Sequence, residues 1–261
     1  MTESERTSLT FTPLLGIPLI QEGDDLGALI LTALQDARLE LKDGDILVIA
    51  QKIVSKAEGR KVDLDTVAPS PEAEELARKT EKDPRVVEII LRESKEVVRT
   101  RPGLIITEHR NGFICANAGI DRSNVKSDPH SSNGWVLLLP EDPDASAREI
   151  RAELERETGT EIGVLIIDSH GRAWRLGTVG ISIGISGLPA LEDLRGWPDL
   201  FGYRLKVTRV GVADELAAGA SLMMGQAAEG TPVVHARGFP YPLREASHEE
   251  ILRPKEEDLF R

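Results

Sequence analysis

Two short apolar runs do most to limit what this chain can become. Residues 45–51 read Asp-Ile-Leu-Val-Ile-Ala-Gln, and residues 162–167 read Ile-Gly-Val-Leu-Ile-Ile. Runs of this length, bounded by glycine or charge, predict strands buried in a core. Neither approaches the ~20 apolar residues that a bilayer-spanning helix needs. At 261 residues the chain is long enough to bury a substantial core.

The segments around these runs alternate without a repeat. Residues 9–15 predict a strand, and Asp24 or Asp25 caps a helix whose apolar face is Leu26, Leu29, Ile30, Ala33, Leu34 and Ala37. Charge-rich helices are expected at 69–80 and 84–99, as a separate lobe or helical insert spanning about 65–100. A hairpin is expected from 103–108 and 112–116, then a long irregular stretch at 117–134. Connections that long in a compact unit are usually functional or disordered. A strand at 135–139, an amphipathic helix at 142–159 with a glycine stop, strands at 179–185 and 207–212, a helix at 214–224 and a strand at 232–236 complete the pattern. Hairpins and helices mix without a regular strand–helix–strand repeat, so the fold class is α+β.

Composition removes several functions. Net charge is −12 and no basic domain stands out, which argues against nucleic acid as the main partner. Aromatic residues make up 4% of the chain, too few for a base-stacking platform. An acidic chain that binds an anion needs local lysines or metal ions to do so. The one cysteine, Cys115, excludes an intrachain disulfide framework and a cysteine zinc cluster. The polar N-terminus has no signal-like apolar core, so a soluble cytoplasmic protein without membrane partners is expected.

Common catalytic signatures are missing. There is no P-loop, no dinucleotide-binding glycine pattern and no H-E-x-x-H. His109, His130, His170, His235 and His248 lack metal-ligand spacing and read as surface or structural residues. Gly180-Ile181-Ser182-Ile183-Gly184 matches a hydrolase nucleophile elbow, but alternation runs straight through it, so a strand packed closely on another backbone is expected.

Four segments carry chemistry, with a weaker fifth. Residues 15–25 form a rigid loop around Pro18 and two glycines. Residues 48–60 put Lys52, Ser55, Lys56 and Arg60 just beyond a buried strand, where ligand loops commonly sit. They suit phosphate contacts or, as plainly, a solvated turn. Residues 117–125 hold Asn117, Asp121 and Asn124 in the long loop, a composition for a hard cation or for a capped turn. Asp168, at the end of an apolar strand and followed by Ser169, suits a metal at a phosphate site or a turn cap. The fifth, 223–232, is a helix end entering a glycine loop, with Met223 and Met224 reading as core-facing.

Together, and in order over nearly the whole chain, these blocks resemble the coenzyme F-420-0:L-glutamate ligase family. The matching stretches include Gly16-Ile17-Pro18-Leu19-Ile20, Ser55-Lys56-Ala57-Glu58-Gly59-Arg60, Asn117-Ala118-Gly119-Ile120-Asp121, Asp168-Ser169, Gly184-Ile185-Ser186-Gly187 and Met224-Gly225. The resemblance implies a GTP-dependent ligase that adds L-glutamate to the deazaflavin coenzyme F-420-0 through an acyl phosphate, releasing GDP and phosphate. It implies two Mg²⁺ or Mn²⁺ ions per site, a K⁺ ion, and an intertwined homodimer of two interleaved lobes. By resemblance Asp121, Asp168, Ser169 and Gln226 hold metal, and Asp121, Asp168 and Lys56 are catalytic. The nucleotide would contact Ile17, Pro18, Leu19, Ile20, Gln51, Lys52, Lys56, Asn124, Met224, Gly225, Gln226, Ala227, Ala228, Glu229, Gly230 and Thr231. Some relatives carry a further nitroreductase-like domain after the ligase; this chain is expected to be a single ligase unit over 1–261 without it. Two other readings stand beside this one: a same-fold ligase or kinase for another carboxylate, and a non-catalytic coenzyme-binding relative.

Overall fold

A computed structural model describes residues 8–122 and 134–260. In chain order the elements are β1 (Thr10–Pro13), α1 (Leu26–Asp36), β2 (Ile46–Ala50), α2 (Gln51–Ala57), β3 (Lys61–Asp63), α3 (Pro71–Thr80), α4 (Pro84–Arg92), β4 (Ser94–Arg101), β5 (Leu104–His109), β6 (Ile114–Ala116), β7 (Trp135–Leu137), α5 (Pro143–Thr158), β8 (Gly163–Arg172), β9 (Arg175–Ser186), β10 (Glu192–Asp193), β11 (Arg209–Val210), α6 (Val212–Met224) and β12 (Val233–Arg237). The class is mixed α+β.

The main sheet has five strands in the order β1-β12-β2-β8-β9. Of its four pairings, β2 with β8 is parallel and the rest are antiparallel. The two apolar runs are thus neighbouring central strands. Alternate side chains go to opposite faces. Leu47, Ile49, Val164 and Ile166 pack with Ile30, Leu34, Ile150 and Leu154 of α1 and α5. Ile46, Val48, Leu165 and Ile167 pack with Ala213, Leu216, Ala217 and Ala220 of α6. A third cluster joins α3 and α4 to Leu64, Ile105, Val136 and Leu138.

Helix ends follow local chemistry. Asp25, rather than Asp24, caps α1 by accepting the Ala28 N–H, and Asp142 caps α5 through the Ala145 N–H. Such caps contribute about 1 kcal/mol each. Gly159 closes α5 at φ 70°, a left-handed conformation.

Several expectations are corrected. The helix expected over 84–99 ends at Arg92, and 94–101 is strand β4, paired antiparallel with β5. The turn-like segment after β2 is helix α2, which puts Lys52 and Lys56 one turn apart. The strand expected at 207–212 shrinks to Arg209–Val210, and Val212 begins α6. Met223 is 41% exposed; Met224 packs inward.

The elbow-like Gly180–Gly184 pattern lies inside β9. A Cβ on Gly180 would stand 2.7 Å from the Ala217 carbonyl oxygen, and one on Gly184 would stand 2.5 Å from that of Pro143. Ser182 is buried and its hydroxyl donates to Asp214 at 2.8 Å, so it is no nucleophile. A one-residue bulge at Ile183, between the pairs Ile166–Gly184 and Ile167–Ser182, interrupts the ladder just before Asp168.

Candidate active site

Because β2 and β8 run parallel, with Ala50 beside Ile167, β2 ends where β8 runs on to Arg172 beside β9, so Asp168 lies within a strand and not at the strand end expected from the sequence. Gln51 starts α2 on one side and Asp168 follows on the other. The bridge of Asp121 to Leu137, with backbone hydrogen bonds of 2.9 and 2.8 Å, brings in a third segment. The end of α6 and the 225–232 loop add a fourth, and the turn before α1 a fifth.

These segments enclose a cavity of about 770 Å³. Its wall contains Asp121, Asp168, Ser169, Lys56, Gln51, Lys52, residues 17–20 and residues 224–231. Every described residue assigned to the site by resemblance therefore reaches one cavity, whereas Ser55, Arg60 and Asn117 do not line it: Ser55 donates to Gln51, Arg60 pairs with Glu93 and the Asn117 side chain accepts the Ile105 N–H. Asn124 lies outside the described residues. Thr178 and Ser221 also line the wall and were not anticipated.

The electrostatics are mixed. The Lys52 ammonium sits 2.7 Å from Asp121 Oδ2. Burial pushes the Lys56 ammonium below the ordinary lysine range; Lys52 and Lys61 add repulsion and Asp121 opposes it. Two lysines on one helical turn that repel each other favour a bound anion. On the carboxylate side, Asp168 Oδ2 meets His170 Nε2 at 2.9 Å and Oδ1 faces Gln51 Nε2 at 3.5 Å. The Ser169 hydroxyl donates to Gln226 Oε1 at 2.9 Å. The glycine loop is held in shape: Glu229 accepts the Ala227 N–H, and the Thr231 hydroxyl donates to the Met224 carbonyl. Nearby Cys115 is buried, and its thiol is pushed up to about 12, first by burial and then by Asp168, so it is inert.

The profile of the F420-0:gamma-glutamyl ligase family matches residues 15–238. The chain belongs to this family. It is 50% identical over 248 residues to the coenzyme F420:L-glutamate ligase of Methanothermobacter thermautotrophicus, covering 94% of this chain and 96% of the relative. The corresponding ligases of Methanocaldococcus jannaschii and Methanopyrus kandleri are 47% and 48% identical, over 95% and 93% of this chain and of those proteins.

Does this member of the F420-0:gamma-glutamyl ligase family offer a place for the divalent ions its resemblance implies? The candidate donors Asp121, Asp168, Ser169 and Gln226 are all oxygen ligands, which suits Mg²⁺ or Mn²⁺. Among the described residues no cluster of three or more His, Cys, Asp or Glu could hold a metal, so an ion here would depend on the Ser169 and Gln226 oxygens beside the two carboxylates. The 2.9 Å approach of Ser169 to Gln226 already gathers two of the oxygens. Asp121 already holds a cation, the Lys52 ammonium. The donor set fits a hard cation.

None of the helices described is long and apolar enough to cross a membrane. Of the histidines expected to be surface or structural, the four described are all buried, and His130 lies outside the described residues. His248 and Asp144 hydrogen-bond at 3.0 Å, while His248 Nε2 meets the Asn111 carbonyl at 2.8 Å; this ties the C-terminal segment to α5 and the β5–β6 turn.

Proposed function

We propose that the chain joins L-glutamate to the carboxylate of coenzyme F-420-0 in an amide bond, driven by GTP. One observation carries this: two carboxylates far apart in sequence, Asp121 and Asp168, face the same cavity as Lys52 and Lys56. That is the equipment for a polyphosphate held by lysines and hard cations together, with Lys52 in contact with Asp121. The family's named relatives, coenzyme F420:L-glutamate ligases, supply the substrate.

Lys52 and Lys56 hold phosphate oxygens, and the loop at 225–231 and the apolar wall at 17–20 enclose the nucleoside. Asp121, Asp168, Ser169 and Gln226 hold the Mg²⁺ or Mn²⁺ ions, which when bound neutralise phosphate charge and align the transfer. An oxygen of the acceptor carboxylate attacks the γ-phosphorus, the bridging P–O bond breaks, and GDP leaves. The glutamate amine, as the free base, then forms the C–N bond to the acyl carbon. Phosphate departs with the electrons of the C–O bond, and the nitrogen loses a proton. A K⁺ ion belongs to the same reading.

The assembly we propose is an intertwined homodimer of interleaved lobes. Supporting it, Leu176, Leu200 and Phe201 are 96–99% exposed, and Val207 and Trp174 are 84% and 88% exposed. Contiguous apolar patches mark protein interfaces, and here Trp174 lies close in sequence to Leu176, and Leu200 and Phe201 to Val207.

The test is a mass spectrum of F-420-0 after incubation with enzyme, GTP, Mn²⁺ and glutamate. A gain of one or more glutamyl units, with GDP formed in step, is expected. GDP release indifferent to F-420-0 and glutamate overturns the proposal. A glutamyl gain on another carboxylate alone moves the chain to a different acceptor.

A further inference from the structure

Asp168 is fastened by a side chain that plays no part in the reading above. Residues two apart on a strand share a face, so β8 sets His170 beside Asp168, with Nε2 2.9 Å from Oδ2. The ring is 7% exposed and tilts against Phe113 at 5.6 Å, which is in turn stacked on His109 at 4.9 Å. Its Nδ1 is buried with no hydrogen-bond partner. A buried imidazole normally satisfies both nitrogens. Here the polar capacity of the ring is spent on one carboxylate oxygen.

The opposite side of Asp168 is prepared too. Gln51 is 4% exposed, and its Oε1 accepts the hydroxyl of fully buried Ser55 at 2.8 Å. That bond turns the Gln51 amide nitrogen toward Asp168 Oδ1, at 3.5 Å. Oδ2 is thus held by a short contact and Oδ1 by a long one, with Asp168 in the cavity wall. Ligating carboxylates set in this way by buried hydrogen bonds bind metal more tightly than free ones.

We propose that His170 is a positioning residue: its Nε2–H locks Asp168 in the orientation that receives a divalent cation, with Ser55 and Gln51 bracing the other oxygen. The proposal rests on the reading of Asp168 as a metal ligand.

The test measures Mn²⁺ binding alone, without nucleotide, from the electron paramagnetic resonance signal of free Mn²⁺. Wild type, Asp168→Asn, His170→Phe and His170→Gln are compared, with circular dichroism checking each fold. Asp168→Asn should abolish tight binding. His170→Phe should weaken it by roughly 10–100-fold. His170→Gln keeps an N–H donor near the Nε2 position and should restore most of the affinity, a rescue that a purely space-filling role would not give. Where His170→Phe does not fold, His170→Leu against His170→Gln makes the same comparison. If Asp168→Asn weakens binding but the apolar variant binds as wild type, or if His170→Gln is as weak as the apolar variant, the positioning role is overturned. If Asp168→Asn leaves affinity unchanged, the metal reading of Asp168 falls first and takes this proposal with it.

Discussion

The Lys52 ammonium lies 2.7 Å from the Asp121 carboxylate, joining helix α2 to the bridge beside β7. Both side chains are about a quarter exposed, at 25% and 26%. Pairs this wet contribute about 0.2–1 kcal/mol, so the contact serves the site more than the fold. Lys52→Met is expected to lower Tm by less than about 4 °C while weakening GTP binding about tenfold or more. Calorimetric titration checks the second figure; unchanged GTP affinity removes Lys52 from the phosphate site.

Asp168→Asn keeps size but removes the charge and turns one of the two acceptor oxygens into an N–H donor. Glutamyl transfer should fall by about 100-fold or more, with the thermal midpoint near that of the wild type. Quantified product formed under saturating Mn²⁺ decides it, and turnover near the wild-type rate would remove this side chain from the reaction.

Gly184→Ala and Gly180→Ala test the close approach at β9. The added methyl meets the carbonyl oxygen of Pro143 or of Ala217. Overpacking against backbone costs about 1–3 kcal/mol, lowering Tm by roughly 3–10 °C. Calorimetric scans read this directly.

Acid stability should depend on His109. Burial, with Arg110 and Arg60 nearby, pulls its imidazole down from 6.5 to about 4. Between those values the unfolded chain binds a proton that the folded one does not. Stability is therefore present above pH 6.5 and is lost as pH falls toward 4, by about 1.4 kcal/mol per pH unit at most. His109→Gln, which cannot titrate, should show a shallower loss in urea melts between pH 6.5 and 4. Parallel pH profiles for the two proteins would contradict the assignment.

Phe201→Glu and Leu200→Glu place charge on the displayed apolar side chains. Light scattering should report a mass of two chains for the wild type and of one for the double variant. A monomeric wild type rejects the dimer.

Much of this was legible in the sequence where local signals and tertiary context agree. Asp142 and Gly159 delimit α5 because a cap and a stop act within one helical turn. The strand through Gly180 and Gly184 was legible because alternation outweighs a short motif. The stretch 94–101 was not: its residues continue a helical pattern, and only pairing with β5 makes them a strand. The site residues were legible as blocks, while their convergence depends on the parallel ladder of β2 and β8, a contact between positions 117 residues apart at Gln51 and Asp168. His170 carried a signal, the two-residue offset from Asp168 on a strand, but only burial gives that offset its meaning.

The adjacency of β2 and β8 leaves this protein tolerant of remodelling in one particular place. Gln51 and Asp168 are held to each other by the sheet, so the α3–α4 part of the long excursion between them can lengthen, shorten or change its surface without altering their spacing. The Asp121–Leu137 bridge closes the neck of that excursion, and the Lys52–Asp121 ion pair holds it at the cavity. Natural variants that accept bulkier partners are therefore expected to differ there first, with the paired strand ends kept as a fixed hinge-pin.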